Sequence, residues 1–132
     1  MKLMYTSIVL LLLVIAPLNE VSSTFTLNCS NTEVDNVSSN VVSTIEVLDD
    51  TVVWTQFQTT EDIPSSFDIV STSGSWDATN STGQLSYILN QDGYQADFSV
   101  TGTNSGISAQ FVFHISDTQQ ETYNFLVSSI TY

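Results

Sequence analysis

The sequence predicts an all-β protein, specifically a single-domain antiparallel β-sandwich of about seven to eight strands. After the first 23 residues, the apolar positions recur at every second residue, which is the period of a half-buried strand and not of a helix. Clusters of Asn, Asp, Gly and Ser interrupt these runs at intervals of about ten residues, where such residues favour turns. Residues 24–132 suffice for one core and therefore for one domain.

The carboxyl-terminal half shows the clearest strands. Residues 94–101 alternate apolar and polar side chains, and residues 107–115 repeat the pattern after an Asn-Ser-Gly turn. Two further runs, 85–89 and 123–127, flank this pair, and Asp92-Gly93 is a strong hairpin signal. This half is therefore predicted to form a four-stranded antiparallel meander.

The amino-terminal half is less regular but has the same character. Residues 41–48 and 51–59 are rich in β-branched and aromatic side chains and are separated by an Asp-Asp pair suited to a tight turn. Shorter strands are predicted at residues 25–27 and 67–70. Trp54 lies on a strand and resembles the core tryptophan of an immunoglobulin domain, but the single Cys29 cannot form the disulfide of that family. We therefore expect an immunoglobulin-like shape without family membership.

The first residues have the layout of a secretory signal peptide. Lys2 precedes the apolar run 8–16, and polar residues follow it. The run is shorter than the roughly 20 residues that a membrane-spanning helix needs. The sequence therefore predicts a leader of residues 1–23, a mature domain of residues 24–132, and a secreted, extracellular or cell-surface location.

The charge balance is strongly acidic. Fourteen Asp and Glu residues face one Lys or Arg, and the formal net charge is −13. Nucleic acid and anionic membrane surfaces are therefore excluded as direct partners on electrostatic grounds. Extracellular glycans, which are often neutral, are compatible with the negative electrostatic field of this chain.

Few residues have the types and spacing that catalysis or metal binding requires. The acidic pairs Asp49-Asp50 and Glu61-Asp62 fall in predicted turns, where acids commonly serve the turn itself. His114 is the single histidine and is predicted on an outward strand face, while Cys29 is expected to be a small buried hydrophobe. We therefore predict no enzyme activity, no catalytic residues, no cofactor and no specific metal site, with at most weak calcium binding by loop carboxylates.

Three N-glycosylation sequons begin at Asn28, Asn36 and Asn80. Each falls in a turn-like or strand-end position. We expect Asn80 to be the best acceptor, because its triplet ends in Thr and a glycine follows it.

Three functions are compatible with these features. The first is a non-catalytic structural or adhesive cell-surface protein that assembles with itself, with residues 24–40 added as a strand to a neighbouring sheet. The second is a small carbohydrate-binding module that contacts glycan through Trp76, Trp54 and Tyr94, with Trp76 in a predicted loop at residues 73–77. The third is an eight-stranded barrel that binds a small apolar ligand, and it depends on whether phenylalanines fill the interior.

Overall fold

A computed structural model describes residues 24–132, so the predicted signal peptide, residues 1–23, lies outside the described residues. The described chain forms nine strands. Their bounds are β1 Phe25–Val34, β2 Val37–Ser39, β3 Val42–Val47, β4 Thr51–Phe57, β5 Asp62–Asp77, β6 Thr82–Gln91, β7 Tyr94–Thr103, β8 Gly106–His114 and β9 Gln120–Thr131. No helix in this part of the chain is long and apolar enough to cross a membrane.

The strands form a closed antiparallel barrel. From β3 to β9 each strand pairs with the next one along the chain, and β1 pairs with β3. The last strand, β9, also pairs with β1, with Thr26 opposite Thr131 and Val34 opposite Tyr123. This pairing closes eight strands into a ring, while the short β2 pairs with the end of β1. The all-β prediction is confirmed, whereas the predicted β-sandwich with an immunoglobulin-like shape is wrong.

The error has a physical cause. A strand in a sandwich and a strand in a small barrel both bury one face, so their sequences alternate identically. Bulges bend the strands here, because the register shifts around Asn28, Cys29 and Asn31 in β1 and between Ile69 and Ser71 in β5. The bent β1 can therefore pair with β3 and β2 along one edge and with β9 along the other.

Aromatic side chains fill the barrel interior. Phe111 is fully buried, and its ring centroid lies 4.6 Å from that of Phe98 and 5.4 Å from that of Phe67. The rings of Trp54 and Phe125 complete the cluster at centroid distances of 5.6 Å and 5.8 Å from Phe111. The centre of the barrel is thus a packed core, and the pockets among the described residues lie towards its ends and sides.

The predicted meander is confirmed, since β6 to β9 pair in sequence order. The predicted turn at Asp49 and Asp50 joins β3 to β4. The prediction of a loop at residues 73–77 is wrong, because β5 continues to Asp77 and pairs with β6 over this stretch. The segment lacks apolar alternation because residues 71–75 are exposed to solvent.

Candidate functional site

The two ends of the barrel differ in how they are covered. Residues 48–50, 78–81 and 104–105 connect strands at one end, which we call the Trp76 end. Residues 92–93 and 115–119 connect strands at the opposite end, which we call the mouth.

Trp76 covers its end of the barrel. Its indole Nε1 donates a hydrogen bond of 2.8 Å to the hydroxyl of Tyr132, which lies 3.1 Å from the hydroxyl of Ser81. The indole fits because Gly102 faces the interior without a side chain: a Cβ there would lie 2.5 Å from Cη2 of Trp76. Residue 83, opposite Trp76 on β6, is also a glycine, with φ of +128°. Two glycines and a hydrogen-bonded indole therefore occupy this end.

The mouth contains a pocket of about 390 Å³. Apolar and aromatic residues of three strands make its floor, and polar residues near the strand ends make its rim. Its lining consists of Phe67, Gln91, Tyr94, Gln95, Ala96, Phe113, His114 and Ile115. We call this the mouth pocket.

The pairing of neighbouring strands shapes the floor. Ala96 of β7 lies opposite Phe113 of β8 and opposite Leu89 of β6, and it is buried. The ring centroid of Phe67, from β5, lies 5.8 Å from that of Phe113. Because alanine stands where the adjacent interior positions of β7 carry larger side chains, space remains above these two rings.

The Asp92-Gly93 turn positions the rim. Both residues have positive φ, 51° and 87°, as the two-residue turn between Gln91 and Tyr94 requires. Tyr94 directly follows the turn, and it is 66% exposed at the edge of the pocket. An aromatic face is therefore available to a ligand that enters the mouth.

Two side-chain amides hold the rim in place. Gln91 donates from Nε2 to the carbonyl of Ser66 at 3.0 Å, which bridges β6 to β5 beyond their last paired residues. Gln95 donates from Nε2 to Oδ1 of Asp97 at 3.1 Å. Neither amide oxygen accepts a hydrogen bond from residues 24–132, so both can accept one from a ligand.

His114 lies on the outward face of β8 at the rim, as the sequence predicted. Its Nε2 is 2.7 Å from Oδ2 of Asp97, and its Nδ1 is 3.2 Å from Nε2 of Gln120. A proton on Nε2 satisfies both contacts, because Nε2 then donates to the carboxylate while Nδ1 accepts from the amide. The imidazole is 30% exposed, and both of its nitrogens are engaged.

Tyr123 lies beside Phe113, with ring centroids 5.3 Å apart. Its hydroxyl donates to Oε1 of Glu121. Burial raises the pKa of Tyr123 to about 12, and the hydrogen bond to Glu121 and the charges of Glu121 and Asp35 add to this shift. The phenol therefore stays neutral at any ordinary pH, so it adds no charge to this end of the barrel.

The structure separates the three predicted glycan-contact residues. Trp54 is 5% exposed inside the barrel, where its Nε1 has no partner among the described residues. Trp76 is half-buried and hydrogen-bonded at the opposite end from the mouth, on a strand and not in a loop. Tyr94 alone lines the mouth pocket. Whether any of them contacts a glycan stays a prediction.

The predicted sequon asparagines lie at three separate places. Asn28 is on β1, with its Nδ2 donating to the hydroxyl of Ser129 at 3.0 Å. Asn36 is exposed in the turn between β1 and β2, with φ of 69°. Asn80 is exposed in the β5–β6 turn, and its Nδ2 donates to Asp77 at 2.8 Å. Their glycosylation stays a prediction.

The predicted acidic turns also lie apart. Asp49 and Asp50 are in the β3–β4 connection at the Trp76 end, whereas Glu61 and Asp62 are at the opposite end, where β5 begins. Among residues 24–132, no three His, Cys, Asp or Glu side chains come close enough to hold a metal ion.

Sequence reasoning missed most of the mouth pocket. Gln91 and Gln95 resemble ordinary surface amides in the sequence, and Phe67 and Phe113 were expected only to pack the core. Their convergence depends on the pairing register of β5 to β8, and the Asp92-Gly93 turn was the one local signal for this place.

The fold and the pocket together define a closed eight-stranded antiparallel β-barrel with one covered end and one open mouth. Among solved structures, the chain is similar to a DUF4251 family protein from Bacteroides eggerthii DSM 20697. The two align with a TM-score of 0.54 and 14% identity, over 83% of this chain and 79% of that one. No family model and no curated protein matches the sequence. A likeness at this identity supports the fold and carries no activity with it.

Proposed function

We propose that the protein is a non-catalytic binding module that takes a small, uncharged, largely apolar ligand in its mouth pocket. The observation that carries the proposal is the asymmetry of the barrel. One end is occupied by Trp76 and its hydrogen bonds, and the centre is filled by aromatic rings, while the mouth keeps a pocket of about 390 Å³. Ligand pockets commonly measure about 300–1,000 Å³ and combine an apolar lining with a few polar groups.

The arrangement of the lining supports an amphipathic ligand. An apolar or aromatic body would pack against Phe67, Phe113 and Ala96 on the floor. A hydroxyl or amide donor on the ligand would bond to the side-chain oxygens of Gln91 and Gln95 at the rim. Tyr94 would cover the outer face of the ligand.

Electrostatics supports an uncharged ligand. The lining contains no lysine or arginine, and the chain carries a formal net charge of −13. A carboxylate or sulfonate in the pocket would lose hydration without gaining a cationic partner, and it would enter a negative field. The imidazole of His114 is already bonded to Asp97.

The hydrogen bonds of His114 support binding in preference to catalysis. Both ring nitrogens are engaged, one with a carboxylate and the other with an amide. A general base needs a nitrogen directed at the proton that it removes. In this arrangement no nitrogen of the rim imidazole is directed into the pocket.

Carbohydrate binding is a second candidate, and Tyr94 is the observation that favours it. A ring that is 66% exposed beside two amides offers the stacking face and hydrogen-bonding groups that neutral sugars use. The pocket floor argues for the apolar ligand, because sugars rarely need a recess made of two phenylalanines.

Self-assembly by strand addition, the leading hypothesis from sequence, has less structural support. Within residues 24–40, β1 is a strand of the protein's own barrel and β2 pairs with it, and β1 pairs with β3 on one side and with β9 on the other. Donation of this segment to a neighbour would require the barrel to open. The extracellular location remains part of our proposal because of the leader-like sequence of residues 1–23.

A matched pair of dyes tests the proposal. N-phenyl-1-naphthylamine is uncharged, and 1-anilinonaphthalene-8-sulfonate has the same rings with an added sulfonate. We expect the neutral dye to bind with increased fluorescence and the sulfonate to bind at least about tenfold more weakly. Amide shifts on binding should concentrate at Gly93, Ala96 and His114. Equal affinities, or shifts centred away from the mouth, would refute the proposal.

Variants of the rim localise the site. Tyr94→Ala and Ile115→Ser should each weaken binding of the neutral dye about five- to tenfold, because each removes an apolar contact of the pocket. Leu126→Ser is the control, since Leu126 is 61% exposed on β9 and does not line the mouth pocket. Cellobiose causing the same amide shifts, with no dye binding, would favour the carbohydrate candidate.

A further inference from the structure

Half of β5 has an unpaired edge. The strand pairs with β4 only from Asp62 to Asp68, and with β6 from Asp68 to Asp77. Beyond Asp68, the edge of β5 on the β4 side therefore has no neighbouring strand among the described residues. The last backbone hydrogen bond there runs from the amide of Ile69 to the carbonyl of Asp50, at 2.9 Å. Residues 70–75 are all exposed, so their outward peptide groups face solvent.

A cleft lies beside this edge. It measures about 210 Å³ and separates the β3–β4 turn, at Leu48 and Asp49, from the start of the unpaired stretch. Its lining includes two buried core side chains, Leu85 and Tyr87, and the exposed Thr72 on β5. An apolar side chain on an added strand could therefore reach the core of the barrel.

The charges around the edge select the partner. Residues 70–76 carry no charge, but the exposed Asp50 and Asp68 lie where β4 and β5 separate, and Asp77 ends the strand. A second copy of this chain would bring carboxylates towards carboxylates, since residues 24–132 contain no lysine or arginine. A segment with basic residues would be attracted both by these groups and by the overall negative field. The edge also lacks the lysine that commonly prevents strand addition.

We propose that the β5 edge from Val70 to Trp76 is a docking site for an extended basic segment of another protein. The segment adds as a strand beside β5 and inserts one apolar side chain into the cleft between the β3–β4 turn and β5. Main-chain hydrogen bonds supply the affinity in this mode of recognition, and the cleft supplies the specificity. The cleft and the mouth pocket share no lining residue, and this proposal does not depend on the function proposed above.

A pair of synthetic peptides tests the proposal by amide NMR. The probe is acetyl-Lys-Thr-Val-Thr-Val-Thr-Lys-amide, and its control replaces both lysines with glutamates. We expect the lysine peptide to shift the amides of residues 69–77 and Leu85 and to slow hydrogen exchange along the open edge at least fivefold. The glutamate peptide should bind at least tenfold more weakly, and added salt should weaken the binding of the lysine peptide.

Two substitutions on β5 distinguish the contribution of the cleft to peptide binding from that of the strand edge. Thr72→Phe fills the cleft and should weaken binding of the lysine peptide at least fivefold. Ser71→Phe is the control: Thr72 lies opposite the buried Tyr87, whereas Ser71 lies opposite Ile88, which is 42% exposed on the outer face. Equal binding of both peptides, shifts centred on the mouth, or no slowing of exchange up to millimolar peptide would overturn the proposal. Shifts of the same residues with protein concentration alone would also overturn it, in favour of a second copy.

Discussion

Phe111→Ala is expected to lower the free energy of unfolding by about 3–5 kcal/mol, which is the usual cost of removing a buried phenylalanine ring. Phe111 is 0% exposed and its ring contacts those of Trp54, Phe67, Phe98, Phe113 and Phe125. Four of these neighbours lie on other strands, β4, β5, β7 and β9, and Phe113 lies on β8 itself. Hydrogen bonds between neighbouring strands hold the barrel wall in place, so the wall cannot collapse to fill the cavity that the substitution leaves.

Urea denaturation measures this effect. Phe111→Leu should lose less stability than Phe111→Ala, because part of the volume is kept. Leu126→Ala is the matched control on the neighbouring strand and should change stability by no more than about 0.5 kcal/mol, since its side chain is 61% exposed. A loss below about 1 kcal/mol for Phe111→Ala would show that the ring is not at the centre of a packed barrel.

Alkaline pH is expected to destabilise the protein strongly. Burial raises the pKa of the Cys29 thiol from 9.0 to about 11, with a smaller opposing effect from the Ser43 hydroxyl. Burial likewise raises the pKa of Tyr87 from 10.0 to about 12. Between about pH 9 and pH 12 the folded protein therefore retains protons that the unfolded chain releases, so stability falls as pH rises. Each group contributes roughly 2–3 kcal/mol of this loss.

Urea midpoints measured from about pH 8 to pH 11.5 test this expectation. Tyr87→Phe should flatten the decline because it removes one titrating hydroxyl, and Cys29→Ala should do the same for the thiol. Leu126→Ala, which removes an exposed side chain without an ionisable group, should leave the slope unchanged. A wild-type midpoint that stays constant to pH 11.5 would contradict the burial of these two groups.

The sequence predicted the strands well because alternation and turn chemistry are local properties. The meander from β6 to β9 followed from the alternating residues and from Asp92-Gly93, whose positive φ values the structure confirms. The all-β class followed from the same pattern. Closure of the barrel could not be predicted this way, because the pairing of β1 with β9 joins the two ends of the described chain.

The positions of Trp76 and of the mouth pocket could not be predicted either, because both depend on barrel closure. Trp76 was expected in a loop, because Ser-Gly-Ser precedes it and no apolar alternation marks the strand. Its place became clear only from its neighbours, Gly102 and Tyr132, which lie far from it in sequence. Similarly, Tyr94 was recognised as an aromatic contact candidate, but the floor beneath it, formed by Phe67 and Phe113, requires the register of four strands.

The pairing of β1 with β9 is the feature on which the covered end, the packed centre and the mouth all depend. Cross-strand nuclear Overhauser contacts, measured together with amide exchange, test it directly. We expect contacts between Thr26 and Thr131 and between Val34 and Tyr123, with slow amide exchange on β9 at both of its edges. If these contacts are missing and alternate β9 amides exchange as rapidly as those of an exposed edge strand, the barrel is open and this account is wrong.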